Sequence, residues 1–411
     1  MNYFIKNIKV NELFHLKDFN IPIANESNPH LILTGKNGTG KTVLLRAIAE
    51  FLERVRNNKE LIKVDEIIRN LQDASNNAKT FREKFEYNIK TKSWKEKDAQ
   101  ISEKVKVEFN DTNKILELIQ NGEFIFAFYM ANRNPQMIEP KNPTKPNLHY
   151  QHKVAETATN QFLFFLSDLK IQEALARNEQ QMDDADAIHQ WFEEFERLLK
   201  EIYQDENLKL TFKYKDYTFR INTKGKSFKF TEMSDGYIAA IDIIADLILK
   251  MQDKESLIRN YQKQGIVLID EIETHLHLEL QRLVMPLLTR IFPNIQFIVT
   301  THSPFVLNSM PNAVAYDLEH REIIDELTEY SYESLAEGYF GVKTESSYME
   351  MRLNELEALL KEDYEKFKKN GVKIRQLIED FEKIPEAVSP LIKGAFRQMM
   401  ITYSDKIKSL G

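Results

Sequence analysis

Residues 35–42 read Gly-Lys-Asn-Gly-Thr-Gly-Lys-Thr, a G-x-x-x-x-G-K-[ST] pattern between the apolar run Leu31, Ile32, Leu33 and the helix-like run Val43, Leu44, Leu45, Ala47, Ile48. A strand, a glycine-rich loop and a helix in that order constrain the fold more than any other stretch of the chain. Gly35, Gly38 and Gly40 let the backbone curl so that successive N–H groups point inward, and the positive end of the next helix is aimed at the same charge. Lys41 is expected to reach the β/γ phosphates of a nucleotide and Thr42 to hold Mg²⁺ through its hydroxyl. The contacts expected from this loop are Gly35, Asn37, Gly38, Thr39, Gly40, Lys41, Thr42 and Val43. The competing reading is an ordinary glycine-rich turn.

Three later segments add chemistry. Residues 266–271, Ile-Val-Leu-Ile-Asp-Glu, form an apolar run ending in two carboxylates, as expected of a buried parallel strand that delivers acids to its carboxyl end. Asp270 is expected in the magnesium shell, and Glu271 is placed to orient or deprotonate an attacking water. A second apolar strand, residues 295–299 with Gln296 inside it, ends in Thr300, Thr301, His302 and Ser303. An imidazole at such a strand end can donate or accept at a γ-phosphate or water. Met233-Ser234-Asp235-Gly236-Tyr237 precedes the amphipathic run 238–251, and Ser234 is expected to cap that helix. Ser234, Asp235 and Gly236 make a second anion site, and because the first loop already holds its own nucleotide, this one suggests a partner's. After the aromatic strand 124–129, Asn132 or Gln136 is a candidate for the magnesium–water shell and Arg133 for phosphate. The sequence leaves open which of them acts, or whether the stretch is a polar turn.

Together these segments resemble the ABC-type ATPase heads of the SMC, RecF and OLD group, over roughly residues 1–320. The resemblance implies an α/β fold, a P-loop NTPase head with a mixed sheet flanked by helices. It also implies two heads sandwiching two ATP molecules, each held by the phosphate loop of one chain and the Ser234–Gly236 signature of the other. Lys41, Glu271 and His302 are then the catalytic set, Thr42 and Asp270 the Mg²⁺ ligands, and residues 272–277 (Ile-Glu-Thr-His-Leu-His) the dimer-contact loop. Met233 and Asp235 depart from the transporter pattern and resemble the OLD-like form.

The organisation expected from the motifs is a first part of the head at 1–50, a polar helical insertion at 51–104, the rest of the head at 105–320 with a helical subregion at 140–205, and a helical partner or assembly region at 321–411. With 411 residues and no cysteine, the chain can bury a large core without disulfides or thiolate metal sites. Its apolar stretches are too short to span a membrane, and residues 1–6 read as a first strand rather than a signal peptide, so a cytoplasmic protein is expected. The formal charge of −7 gives no general basic field. Residues 79–106 nevertheless carry nine Lys or Arg against five acids, interleaved with Phe81, Phe85, Tyr87 and Trp94. That composition suits either a DNA or RNA contact or a solvated face.

The last ninety or so residues lack the strand-borne glutamate and Asp-x-Asp pair of an OLD nuclease module; Asp317 and Asp325 stand alone. Instead Met349, Leu353, Leu356, Leu360, Tyr364 and Phe367 recur at helical spacing, a stripe packed on its own domain or offered to a partner. Stand-alone OLD-like ATPases of antiphage cassettes of the Septu, retron and PARIS type look like this. The resemblance therefore implies a homodimer or higher homo-oligomer controlling a separate effector, often a nuclease. A RecF-like or SMC-like DNA-repair ATPase and a nucleotide-gated scaffold with little turnover are the alternatives.

Overall fold

Strands begin where the chain starts to alternate. In the computed structural model, which describes residues 3–23, 30–133, 136–147, 153–252, 261–324, 332, 334–335, 347–383 and 390–409, β1 (Ile5–Leu13) and β2 (Leu16–Pro22) form an antiparallel hairpin with Leu13 opposite Leu16. The fully buried β3 (His30–Thr34) follows, then α1 (Lys41–Asn57). Leu44, Leu45, Ile48, Leu52 and Val55 of α1 are buried, so this helix belongs to the head through its last turn. The insertion expected from residue 51 therefore starts later, as a helical hairpin of α2 (Val64–Asn76) and α3 (Phe81–Ile101). A reciprocal capping box between Thr80 and Glu83 starts α3, satisfying two otherwise orphaned N–H groups.

The head resumes with β4 (Val105–Phe109), α4 (Thr112–Asn121) and β5 (Phe124–Tyr129). α5 (Phe162–Asn178) and α6 (Met182–Tyr203) supply the helical subregion; Phe162, Phe165, Trp191 and Phe195 pack there edge-to-face and stacked. A meander of β6 (Lys209–Lys213), β7 (Thr218–Thr223) and β8 (Lys226–Lys229), turning at Lys224-Gly225, leads to α7 (Asp235–Lys250). Then come β9 (Gln264–Ile269), α8 (Leu278–Ile291), β10 (Ile295–Thr300), the short α9 (Pro304–Leu307), β11 (Ala313–Asp317) and β12 (Glu322–Ile324).

The central sheet has the order β12-β11-β3-β10-β9-β5, parallel except for the β11–β12 pair, and a smaller sheet has the order β2-β1-β4. One core gathers α1, α4, the small sheet and alternate residues of the large one, such as Leu31, Leu33, Phe126, Leu268 and Ile298. Gln296, fully buried in β10, joins the two sheets. Its Oε1 accepts from Ile5 N at 2.7 Å and its Nε2 donates to Ile5 O at 3.0 Å, where the β1–β4 register shifts between Ile5 and Asn7. The side-chain amide thus satisfies both backbone groups of Ile5 beside this irregularity.

The chain divides into units 1–332 and 333–411. The boundary expected at 321 is too early, because β12 pairs with β11 inside the first unit. In the second unit, helices Ser347–Lys361, Tyr364–Lys369, Gly371–Glu382, Pro390–Thr402 and Ser404–Lys408 enclose their own core. Leu353, Leu356, Leu360 and Phe367 lie in that core with Ile374, Phe381 and Phe396, so the stripe is packing within the unit and not a surface. Tyr364, just after the break between the first two helices, is 51% exposed and leaves the stripe. Asp317 ends β11, buried, accepting from Glu319 N at 2.7 Å and paired with His320; Asp325 lies outside the described residues.

Candidate functional site

The phosphate-loop sequence connects β3 to α1 as its spacing predicts. Gly35, Gly38 and Gly40 have φ of 128°, 85° and 97°, the left-handed side that glycine alone adopts freely. At Gly40, which caps α1, a Cβ would in addition lie 2.9 Å from Leu16 Cδ1. Lys41 Nζ donates to Gly35 O at 2.7 Å and Lys36 O at 3.0 Å, and burial brings its pKa down to about 8 against the opposing pull of Glu271, Glu273 and Asp270.

Three strands bring the acids to this loop. Asp270, buried just beyond β9, has its N–H bonded to Tyr129 O of β5 at 2.8 Å, while its Oδ1 accepts from Thr42 Oγ1 at 3.1 Å and from Thr300 Oγ1 of β10 at 2.7 Å. Thr300 Oγ1 also accepts from Glu271 N at 2.7 Å, where Glu271 holds a left-handed φ of 44°. Thr300 therefore fixes both carboxylate-bearing residues, a role its place at the strand end did not disclose. Glu271 and His302 line a cavity of about 320 Å³ together with Lys41 and Thr42. Burial, and then the nearby Lys41 charge, lower the His302 pKa and favour a neutral imidazole. A hydroxyl and a carboxylate side by side, Thr42 and Asp270, are the oxygen donors a hard divalent cation takes when it keeps most of its waters.

The other wall of the cavity is the tip of the β1–β2 hairpin, Leu13, Phe14, His15 and Leu16, beside Asn37, Gly38, Gly40 and Val43. Phe14, at φ 56° and 78% exposed, projects from the turn, and His15 Nε2 lies 3.1 Å from Thr39 O. No motif marks this pair; a two-residue aromatic turn between apolar strands was the only available signal.

Ser234, Asp235 and Gly236 start α7 outside the cavity lining. Ser234 occupies the N-cap position, but its side chain makes no capping bond, contrary to expectation. Gly236 lies against residues 275–277: a Cβ there would come within 2.9 Å of His275 O, and the next ring, Tyr237, meets His277 edge-on at 5.2 Å and stacks on Tyr203 at 4.0 Å.

Asn132, Arg133 and Gln136 do not line the cavity either. Asn132 and Gln136 are exposed. Arg133 turns behind the acid-bearing strand, where Nη1 donates to Asp270 O at 3.4 Å while Nε and Nη2 are buried without a hydrogen bond. Burial lowers its pKa, opposed by the charges of Asp242, Glu273 and Asp270. Asn134 and Pro135 lie outside the described residues.

Residues 31–308 match the family model described as "AAA domain, putative AbiEii toxin, Type IV TA system". A Septu protein PtuA of Bacillus mycoides (strain KBAB4) is 40% identical over 95 residues, 23% of this chain and 13% of that protein. A retron Vc95 probable ATPase of Vibrio cholerae serotype O1 biovar El Tor is 35% identical over 116 residues, 27% of this chain and 21% of that protein. The chain thus matches only about a fifth or less of these relatives' length. Among solved structures, an SMC head bound to the C-winged helix domain of ScpA aligns over 76% of this chain and 93% of its own, at 13% identity and a TM-score of 0.37. Among the described residues, no helix is long and apolar enough to cross a membrane.

Proposed function

The chain belongs to the family described as "AAA domain, putative AbiEii toxin, Type IV TA system", and on that premise we propose that it is the ATP-binding and ATP-hydrolysing subunit of a cytoplasmic antiphage defence complex. The single observation that carries the reading is the cavity that Glu271 and His302 line together with the phosphate-loop residues Lys41 and Thr42. In this reading the N–H groups of residues 37–43 and Lys41 bind the nucleotide phosphates, Lys41 leaving the carbonyls of Gly35 and Lys36 to do so. Thr42 and Asp270 would hold Mg²⁺, which when bound would supply charge neutralisation at the nucleotide phosphates. Glu271 accepts a proton from, or orients, the attacking water; its left-handed backbone is tied by Thr300, and the residue lines the cavity. His302, kept neutral, donates to the γ-phosphate or the water. Phe14 and His15, which line the same cavity, flank the nucleotide.

Ser234, Asp235 and Gly236 serve the nucleotide of a second copy, a role favoured by their position outside this chain's own cavity. Arg133 is assigned to holding the strand end of Asp270 rather than to phosphate. The resemblance to the stand-alone ATPases of antiphage cassettes supports a separate effector protein, which we take to be a nuclease released or restrained by the nucleotide state.

The test uses two variants. Lys41→Ala is expected to lose ATP binding, whereas Glu271→Gln is expected to bind ATP normally and lose about 10²–10⁴-fold in turnover. Equilibrium binding and single-turnover phosphate release separate the two. Near-normal release by Glu271→Gln overturns the assignment. Co-purification with the products of neighbouring reading frames tests the effector.

A further inference from the structure

Glu273 is a half-buried carboxylate two residues beyond Glu271 that the proposed mechanism does not use. Its Oε1 accepts from the backbone N–H of His302 at 2.5 Å and its Oε2 from Thr301 Oγ1 at 2.8 Å. Thr301 Oγ1 in turn accepts from Ser303 N at 3.0 Å, so one carboxylate organises three consecutive residues after β10. Burying a carboxylate costs several kcal/mol unless donors and a counter-charge offset it. An apolar side chain of similar size would fill the same space at less cost, so packing alone does not account for the choice of residue. The donors are those just named, and the charge of Arg133 lies nearby; burial still outweighs the donors and raises the Glu273 pKa.

The turn that carries Glu273 is held at both ends. Ile272 N donates to Thr300 O at 3.2 Å and Leu276 N to Glu273 O at 2.9 Å, while His275 O abuts Gly236. A carboxylate on such a strut has little freedom to follow the loop that binds it; the loop must follow the carboxylate. We propose that Glu273 is a positioning residue: it fixes the backbone of Thr301 and His302 so that the His302 imidazole shares the cavity with Glu271 and Lys41. The inference rests on the reading of His302 as a group facing the nucleotide. Charge-assisted bonds of this kind are about twice as strong as neutral ones, which suits a loop that has to stay fixed while nucleotide enters and leaves.

Glu273→Gln keeps the volume but offers one acceptor oxygen, which serves the His302 N–H; the Thr301 hydroxyl must turn round to accept from the amide NH₂, so the charge assistance is lost and the Thr301 contact is reversed. A misplacement of roughly 1 Å at a reacting group costs about 10²-fold in rate. The expected result is a kcat lowered by about that factor with KM for ATP nearly unchanged, because the phosphate loop is not touched. The same samples, with ¹³C-labelled histidine, are examined by NMR without nucleotide; the His302 cross-peak is identified by its loss in His302→Gln. Glu273→Gln is expected to move that peak and leave the other histidines distant from it in place. Thr301→Val removes one donor to Glu273 and the acceptor of the Ser303 N–H but leaves the His302 N–H bond to Glu273, and is expected to give a smaller change of the same kind.

Wild-type kcat in Glu273→Gln, or a lowered kcat with an unmoved His302 peak, overturns the proposal. If Glu273→Gln melts too early to assay, Thr301→Val decides by the same two readouts. If the wild-type chain hydrolyses no ATP, the functional reading fails, while the imidazole spectrum still decides whether Glu273 positions His302.

Discussion

Replacing Gln296 with Leu removes a bridge between two sheets and tests how the β1 hairpin is held. Gln296 and Ile5 are both fully buried, and the side-chain amide satisfies the N–H and the C=O of Ile5. Leucine leaves both backbone groups without partners, at about 1–3 kcal/mol each. It also ends the burial of the amide, which returns about 1–2 kcal/mol. The net loss worked from these terms centres on about 2.5 kcal/mol, within about 0–5 kcal/mol. Because β1 ends in the Leu13–Leu16 tip that walls the cavity, the loss should be seen there as well as globally. Hydrogen exchange read by mass spectrometry on peptides spanning residues 3–23, together with urea unfolding, measures both. Gln296→Glu provides the control: its carboxylate accepts from Ile5 N–H but repels Ile5 C=O, whereas its protonated form can serve both, so this variant should recover stability as pH falls. A leucine variant within about 0.5 kcal/mol of wild type, with unchanged exchange in β1, would refute the reasoning.

Two further outcomes follow from burial. His30 accepts from Phe297 N at 3.1 Å, and burial holds its pKa down to about 4. The unfolded chain therefore binds the extra proton first: the contribution is intact above about pH 6.5 and falls by up to about 3 kcal/mol as pH drops toward 4, a slope that denaturant unfolding should show and His30→Asn should flatten. In the second unit, Leu356→Gln places an amide in a fully buried site and should cost about 2–5 kcal/mol in the unfolding of residues 333–411 while ATP binding persists; calorimetry with parallel nucleotide titration checks both.

What could be read from the chain divides along physical lines. Lys41, Thr42, Asp270, Glu271 and His302 belong to contiguous runs in which an apolar strand ends in a polar residue, and such runs announce both an element and the edge where its chemistry sits. The structure brings all five to one end of the central sheet. Phe14 and His15 carry no such context; only pairing of Leu13 with Leu16 brings their turn over the loop. Gln296 stood out as a polar residue inside an apolar strand, yet its partner is 291 positions away. Arg133 sits where the residue order suggested, but the backbone turns its guanidinium behind Asp270 instead of toward phosphate. The helical stripe at 349–367 was periodic for the commonest reason, a core of its own, and periodicity cannot distinguish a core from a partner surface. Glu273 looked like part of a contact loop because its two acceptor bonds join it to residues nearly thirty positions later.

The central claim, that one chain's phosphate loop works with another chain's signature, is tested most directly by mixing two inactive variants. Ser234→Arg leaves the loop intact and Lys41→Ala leaves the signature intact. In an equimolar mixture that re-equilibrates, half the dimers are mixed and each has one sound composite site, so phosphate release should return to about a quarter of the wild-type rate. No recovery in a sample whose mass spectrum shows the mixed dimer would contradict the account.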